Sequence, residues 1–225
     1  MDKGIKIAID GPAAAGKSTI AKITAEKLGY TYIDTGAMYR ALTHKALGLD
    51  IHTNDGVRLE ELLSKSEIVL IPTSEGQAVI VDGEDVTEEI RLGKVTQAVS
   101  AIAAHNGVRE LMVEKQRDLS DVSGVVMDGR DIGTDVLPNA ELKIFMTASV
   151  EERAQRRHDE NVKRGIESSL SQLQEEINER DRADTEREVS PLRQAEDAIF
   201  IDTTSMSIME VADKISRLAK ERLGQ

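Results

Sequence analysis

The residues Gly11-Pro12-Ala13-Ala14-Ala15-Gly16-Lys17-Ser18 keep the spacing Gly-x-x-x-x-Gly-Lys-Ser/Thr, directly after a β-branched apolar run and at the start of a helix-forming one. Small side chains there let backbone N–H groups converge on the β-phosphate of a nucleoside triphosphate, and the following helix adds the positive end of its dipole. Lys17 then bridges the β- and γ-phosphates, and Ser18 offers its hydroxyl to Mg²⁺. The motif implies a nucleotide site, which an enzyme and a non-catalytic switch would share. Its lysine is expected to face solvent when the site is empty.

Further groups point to a second, anionic substrate. Asp34-Thr35-Gly36-Ala37-Met38-Tyr39-Arg40 places a hydroxyl and a cation just beyond one strand-like run, and Asp128-Gly129-Arg130-Asp131 ends another. Ligands of open α/β sheets collect at the carboxyl edge, so these loops belong beside the phosphate loop. Arg40 and Arg130 could there grip an acceptor phosphate through their planar forks. Arg153, Arg156 and Arg157, at i, i+3 and i+4, put three guanidinium groups on one helical face, where they would repel one another without an anion. Arg180, Asp184 and Arg187 set a carboxylate between two cations. Ion pairing on exposed helices is the competing reading of each arginine. A guanine-reading Asn/Thr-Lys-x-Asp does not occur, and Asp121-Val122-Ser123-Gly124 precedes a strand-like run and reads as a turn.

These groups need strands and helices to hold them. Residues 5–9 and 30–33 read as short strands, with helices over 17–28, stopped by Gly29, and 37–47, where Met38, Leu42, Ala46 and Leu49 recur at helical spacing. Between 66 and 86 the pattern becomes Ile68-Val69-Leu70-Ile71, a Ser74-Glu75-Gly76 turn, Val79-Ile80-Val81 and then Asp82-Gly83, which predicts a small antiparallel insertion. Helical patterning returns over 94–121 with a break at Asn106-Gly107, and the apolar runs 125–127 and 142–146 suit buried parallel strands. Residues 151–193 carry nine basic side chains against twelve acidic ones, with little apolar patterning beyond Leu170, Leu173 and Ile177, and read as a charged helix pair. A last strand at 199–202 precedes an amphipathic helix over 207–223 with Ile208, Val211, Ile215 and Leu218 as its stripe.

The 225 residues, 40% of them apolar, suffice for a real core without crosslinks. There is no Cys, which removes disulfides, thiolate zinc and thiol catalysis together. A net charge of −12 repels nucleic acid and anionic lipid, and 2% aromatics leave few stacking platforms, so neither nucleic acid nor a membrane is an expected partner. The N-terminus has no signal-like run and no apolar stretch nears the ~18 residues of a spanning helix, so a soluble cytoplasmic chain is expected.

Taken together, Ile9-Asp10-Gly11-Pro12 with the phosphate loop, 34–40, Asp128-Gly129-Arg130-Asp131-Ile132-Gly133-Thr134, Glu152-Arg153-Ala154-Gln155-Arg156-Arg157 and the stretch from Glu179-Arg180-Asp181 to Pro191 resemble the bacterial cytidylate kinase family of nucleoside monophosphate kinases. The resemblance spans essentially the whole chain. It implies an α/β P-loop kinase core, a parallel five-stranded sheet between helices (1–34, 87–150 and 195–225). It also implies a monophosphate-binding region enlarged by the antiparallel insertion (35–86), and a helical lid with Arg-rich helices (151–194). ATP and Mg²⁺ would sit on Gly11, Pro12, Ala13, Ala14, Ala15, Gly16, Lys17, Ser18, Thr19 and Arg156, with Asp128 an outer-shell partner of the metal waters.

By the same resemblance Thr35, Arg109, Asp131 and Arg187 face the cytosine, Ser100, Arg180 and Asp184 meet the ribose, and Arg40 and Arg130 hold the acceptor phosphate. Thr35 stands where Ser is familiar and keeps the hydroxyl. Lys17, Arg130, Arg153 and Arg157 are the implied catalytic set; Arg153, Arg156 and Arg157 resemble lid arginines that gain counterions only from nucleotide phosphates, and a mobile lid is expected over about 154–164. The implied reaction moves the γ-phosphoryl of ATP to CMP or dCMP, in a monomer. A P-loop kinase for UMP or another small acceptor, and a nucleotide-dependent switch, are the alternatives.

Overall fold

The apolar run before Gly11 becomes strand β1 (Lys6–Asp10), and the run after Gly16 becomes helix α1 (Lys17–Leu28). Next come β2 (Thr31–Asp34), α2 (Thr35–Gly48), α3 (Gly56–Ser64), β3 (Ile68–Thr73), β4 (Gly76–Val81), β5 (Glu84–Asp85), α4 (Gly93–Ile102) and α5 (Asn106–Leu119). The chain continues with β6 (Val125–Gly129), β7 (Leu142–Thr147), α6 (Val150–Lys163), α7 (Leu170–Glu186), β8 (Ile199–Asp202) and α8 (Ile208–Arg222). This computed structural model describes residues 4–73, 76–163 and 165–224. The expected Ser74-Glu75 turn and the lid's terminal Arg164 lie outside the described residues.

Two compact units result: one runs to Tyr30 and resumes at Ser123, and the other is Thr31–Val122. The division differs from the three-part expectation, because 87–122 group with 31–86 and 151–194 group with the strands around them. A five-stranded sheet in the order β2-β6-β1-β7-β8 carries the fold, and β1 pairs in parallel with both β6 and β7. Ile7, Ile9, Val125, Val126 and Met127 have no exposed surface, as the continuous apolar runs of a doubly covered parallel sheet require. Gly29, in the left-handed region at φ 68, ends α1.

α8 begins with a capping box in which Ser207 accepts the Glu210 N–H and Glu210 accepts the Ser207 N–H. Its buried stripe is Val211, Ala212, Ile215 and Ala219, while Ile208 is left exposed. Small alanines let α8 approach α1 closely, so the stripe is rotated from the one that bulky residues alone mark. The charged helices α6 and α7 are not simply solvated, since Ala154, Leu173 and Ile177 form a core between them.

In the second unit, Met38, Leu42, Leu59, Leu63, Ile102, Val108 and Met112 build the core. Leu59 and Leu63 belong to α3, which the sequence pattern does not mark; Asp55 caps it by accepting the Arg58 N–H at 3.2 Å. β3, β4 and β5 form the expected antiparallel sheet, and the β4–β5 turn uses Asp82 and Gly83, both at positive φ, as a two-residue hairpin demands. The helix break falls earlier than Asn106-Gly107, because α5 starts at Asn106. Gly107 lies inside α5, and a Cβ there would displace only the exposed Glu60 carboxylate of α3.

Candidate active site

At the carboxyl end of β1 the chain turns through Gly11, whose φ of 151 and a Cβ position 2.0 Å from the Met146 carbonyl oxygen exclude any side chain. Gly16 at φ 84 then starts α1. Lys17 is 5% exposed, contrary to the expectation of a solvated ammonium, and its Nζ donates to the Pro12 carbonyl at 2.8 Å. The reason is closure of the loop around its own lysine. Burial, and then the Arg130 guanidinium, push the ammonium down from 10.5 to about 7 against the pull of Asp128, Asp10 and Asp184.

Ser18 Oγ donates to Asp128 Oδ2 at 2.9 Å, which ties the start of α1 to the end of β6. A hydroxyl next to a buried carboxylate fits Mg²⁺, a hard cation that takes its remaining ligands from phosphates and water. Among the described residues no group of three or more His, Cys, Asp or Glu could hold a metal ion.

The three arginines of α6 do not share a bare face. Arg153 is 5% exposed and is bound within the protein: Nε donates to the Ala148 carbonyl at 3.0 Å, Nη1 to the Ala13 carbonyl at 3.0 Å and to Asp181 Oδ2 at 2.5 Å. Asp181 in turn accepts the Ala13 N–H at 3.1 Å. Arg156 pairs with Glu152 at 3.0 Å and donates to the Ala15 and Thr203 carbonyls, and Arg157 pairs with Glu160 at 3.4 Å. Each cation therefore has a protein counterion without nucleotide, which corrects the expected dependence on phosphates. Arg153 braces the phosphate loop, and Arg157 is the most exposed of the three pairs' guanidinium groups, at 38%.

A second cluster gathers in the same unit. Arg130 Nε donates to Asp184 Oδ2 at 2.7 Å, and Arg187 lies 3.7 Å from both Asp184 and Asp131. Burial alone would raise the Asp184 carboxyl, but Arg130, Arg180 and Arg187 outweigh it and hold it below 3.8. Arg130, Asp131, Arg180, Asp184 and Arg187 are thus brought together, with Arg187 just past the end of α7 and anchored through Nε to the Ser190 carbonyl at 2.7 Å.

The remaining predicted residues lie in the second unit. Asp34 caps α2 by accepting the Ala37 N–H at 2.8 Å and pairs with Arg40 at 3.0 Å. Thr35 is buried as the first residue of α2, and Ser100 is half-buried on α4. Arg109, with 1% exposure, donates to the Ala103 carbonyl at 3.1 Å and lies 5.5 Å from the Tyr39 ring centroid. Asp10, Asp34 and Asp181 stand inside the sequence motifs, but the sequence alone assigns them no role. For Asp34 the signal was present, an Asp just ahead of a helix and six residues before an arginine; nothing local marks Asp10 or Asp181.

A family model described as Cytidylate kinase matches residues 7–221. The chain is 61% identical over 222 residues to a Bacillus velezensis protein named Cytidylate kinase, covering 99% of each. Over 222 residues it is 60% identical to the Bacillus subtilis protein of that name, again covering 99% of each. The fold is similar to the crystal structure of an uncharacterized protein from Eubacterium ventriosum, at 13% identity and TM-score 0.53, covering 97% of this chain and 99% of that one. With a phosphate loop on β1, an Arg-Asp loop on β6 and identity at this level over nearly every residue, the chain belongs to the cytidylate kinase family.

Proposed function

We infer that this protein transfers the γ-phosphoryl group of ATP to CMP or dCMP, giving ADP and CDP or dCDP. The observation that carries the reading is the register of β1 against β6, Asp10 opposite Gly129, which sets the phosphate loop directly beside Arg130 and Asp131. The acceptor phosphate has a second pKa near ~6, so at neutral pH it already presents a nucleophilic oxygen and needs no general base. The protein's task is alignment and charge neutralisation. Magnesium would supply further positive charge on the transferring group, held by Ser18 with Asp128 behind its waters.

Within this reading Gly11 to Thr19 cradle the donor phosphates, Lys17 neutralises the transferring group, and Arg130 grips the acceptor phosphate. Arg156 and Arg157 exchange their carboxylate partners for phosphate, while Arg153 acts through Ala13 as a positioning residue. In the first unit Asp131 and Arg187 read the cytosine, and Arg180 and Asp184 hold the ribose; in the second, Thr35 and Arg109 are the candidates for the base, Ser100 for the ribose and Arg40 for the acceptor phosphate. The proposal includes a cytoplasmic monomer; among the described residues no helix is long and apolar enough to cross a membrane. ADP release measured with CMP, dCMP, UMP, AMP and no acceptor tests it. Turnover that requires CMP or dCMP is the expected result, and acceptor-independent hydrolysis alone would overturn it.

A further inference from the structure

Asp10 is 5% exposed, and both of its carboxyl oxygens are engaged. Oδ1 accepts the Ile132 N–H at 2.8 Å and Oδ2 the Gly133 N–H at 2.7 Å. These N–H groups begin the wide turn Ile132–Val136, whose far end closes back on Asp131: the Asp135 and Val136 N–H groups donate to the Asp131 carbonyl at 2.9 and 3.1 Å. The first N–H groups of such a turn have no partner inside it, and buried donors left unpaired are costly, so the carboxylate determines how the turn is seated. Gly133 shows how tightly: a Cβ there would lie 3.3 Å from Asp10 Oδ2 and 3.2 Å from Lys143 Cδ.

We propose that Asp10 is a positioning residue for the acceptor, fixing through Ile132 and Gly133 the direction in which Arg130 and Asp131 are presented, and thereby setting the preference for CMP over UMP. This rests on the functional reading above. The backbone of Asp10 is held opposite Gly129, one residue before Arg130, and its side chain grips the first residues after Asp131. Arg130 and Asp131 are therefore clamped from both sides by one residue. The competing role is electrostatic, since Asp10 also acts on Lys17. A residue that only tuned the lysine would alter phosphoryl transfer equally for every acceptor, whereas a positioning residue alters acceptors unequally.

Steady-state kinetics of the wild type, Asp10→Asn and Gly133→Ala with CMP, UMP and ATP separate the two. An amide keeps the size but can accept at one oxygen only, so Asp10→Asn should lower the CMP-to-UMP ratio of kcat/KM by about tenfold or more, mainly through KM for CMP, with KM for ATP changed less than about twofold. Gly133→Ala keeps the charge and crowds the contact, and should shift the ratio in the same direction by a smaller factor. An unchanged ratio in either folded variant, or an equal loss for both acceptors, overturns the proposal. A wild type inactive on both nucleotides fails the functional reading instead, and amide hydrogen exchange at Ile132 and Gly133 then decides: faster exchange in Asp10→Asn supports the clamp, and equal exchange refutes it.

Discussion

Lys17 illustrates how a motif residue can sit in a setting that its motif does not suggest. Its ammonium is buried against the Pro12 carbonyl, and burial and Arg130 lower its pKa, so an anionic phosphate beside it would favour the charged form. Lys17→Ala should reduce kcat by at least about a thousandfold, the scale of losing a preorganised charge on a transferring group, while circular dichroism shows the fold retained. Asp131 makes the complementary prediction. A carboxylate can accept from the exocyclic amine of cytosine and meets a carbonyl oxygen in uracil, so Asp131→Asn or Ala should lower the CMP-to-UMP ratio of kcat/KM. A lost hydrogen bond to a charged group is worth ~1.5–3 kcal/mol, roughly 10- to 150-fold. An unchanged ratio would move base reading to Arg109. At this scale the cations stood out in the sequence, because Arg and Lys in a regular spacing announce themselves. The sequence alone assigns no role to Asp10, Asp34 and Asp181, whose partners are backbone N–H groups or side chains brought near by folding.

Helices α6 and α7 carry the arginines whose partners the sequence could not foresee. Charge spacing put Arg153, Arg156 and Arg157 on one face, but it could not say that Asp181, on the neighbouring helix, would claim Arg153 and the Ala13 N–H together. Arg157, paired only weakly with exposed Glu160, is the one best able to exchange its carboxylate for phosphate. Arg157→Ala should therefore lower kcat by orders of magnitude with a smaller change in KM for CMP, and Lys in its place should restore little because a point charge lacks the planar fork. Hydrogen exchange over residues 154–163, slower with a bisubstrate analogue than without, would show the helix tightening over its ligand; equal exchange would make it a static strut.

α7 also supplies a pH response. Asp184 has its folded pKa below the ordinary 3.8, so its contribution to stability is complete above that value and disappears as pH falls through the lower folded one. Urea unfolding of Asp184→Asn and the wild type should differ at pH 7, and the difference should shrink as pH falls below 3.8.

At the scale of the whole molecule, the alternation of strand and helix and the parallel sheet were legible because a doubly covered strand has to be a continuous apolar run. The grouping of residues was less so. Residues 87–122 join 31–86 through packing of α4 and α5 on α2 and α3, and no change of composition marks that union. α3 escaped notice because Val57, Leu59, Leu62 and Leu63 on nine residues make too short a periodicity to register, and Gly107 resembles a helix break although it lies inside α5.

Gly11 sits where β1 meets the Met146 carbonyl on β7, with no room for a methyl group. A substitution there would separate two paired strands as well as reshape the loop, so the residue cannot drift without the fold failing first. An inhibitor that rests its contacts on the Gly11 backbone would therefore face a position from which resistance has little room to evolve, since the variant that escapes the compound is also the variant that does not persist.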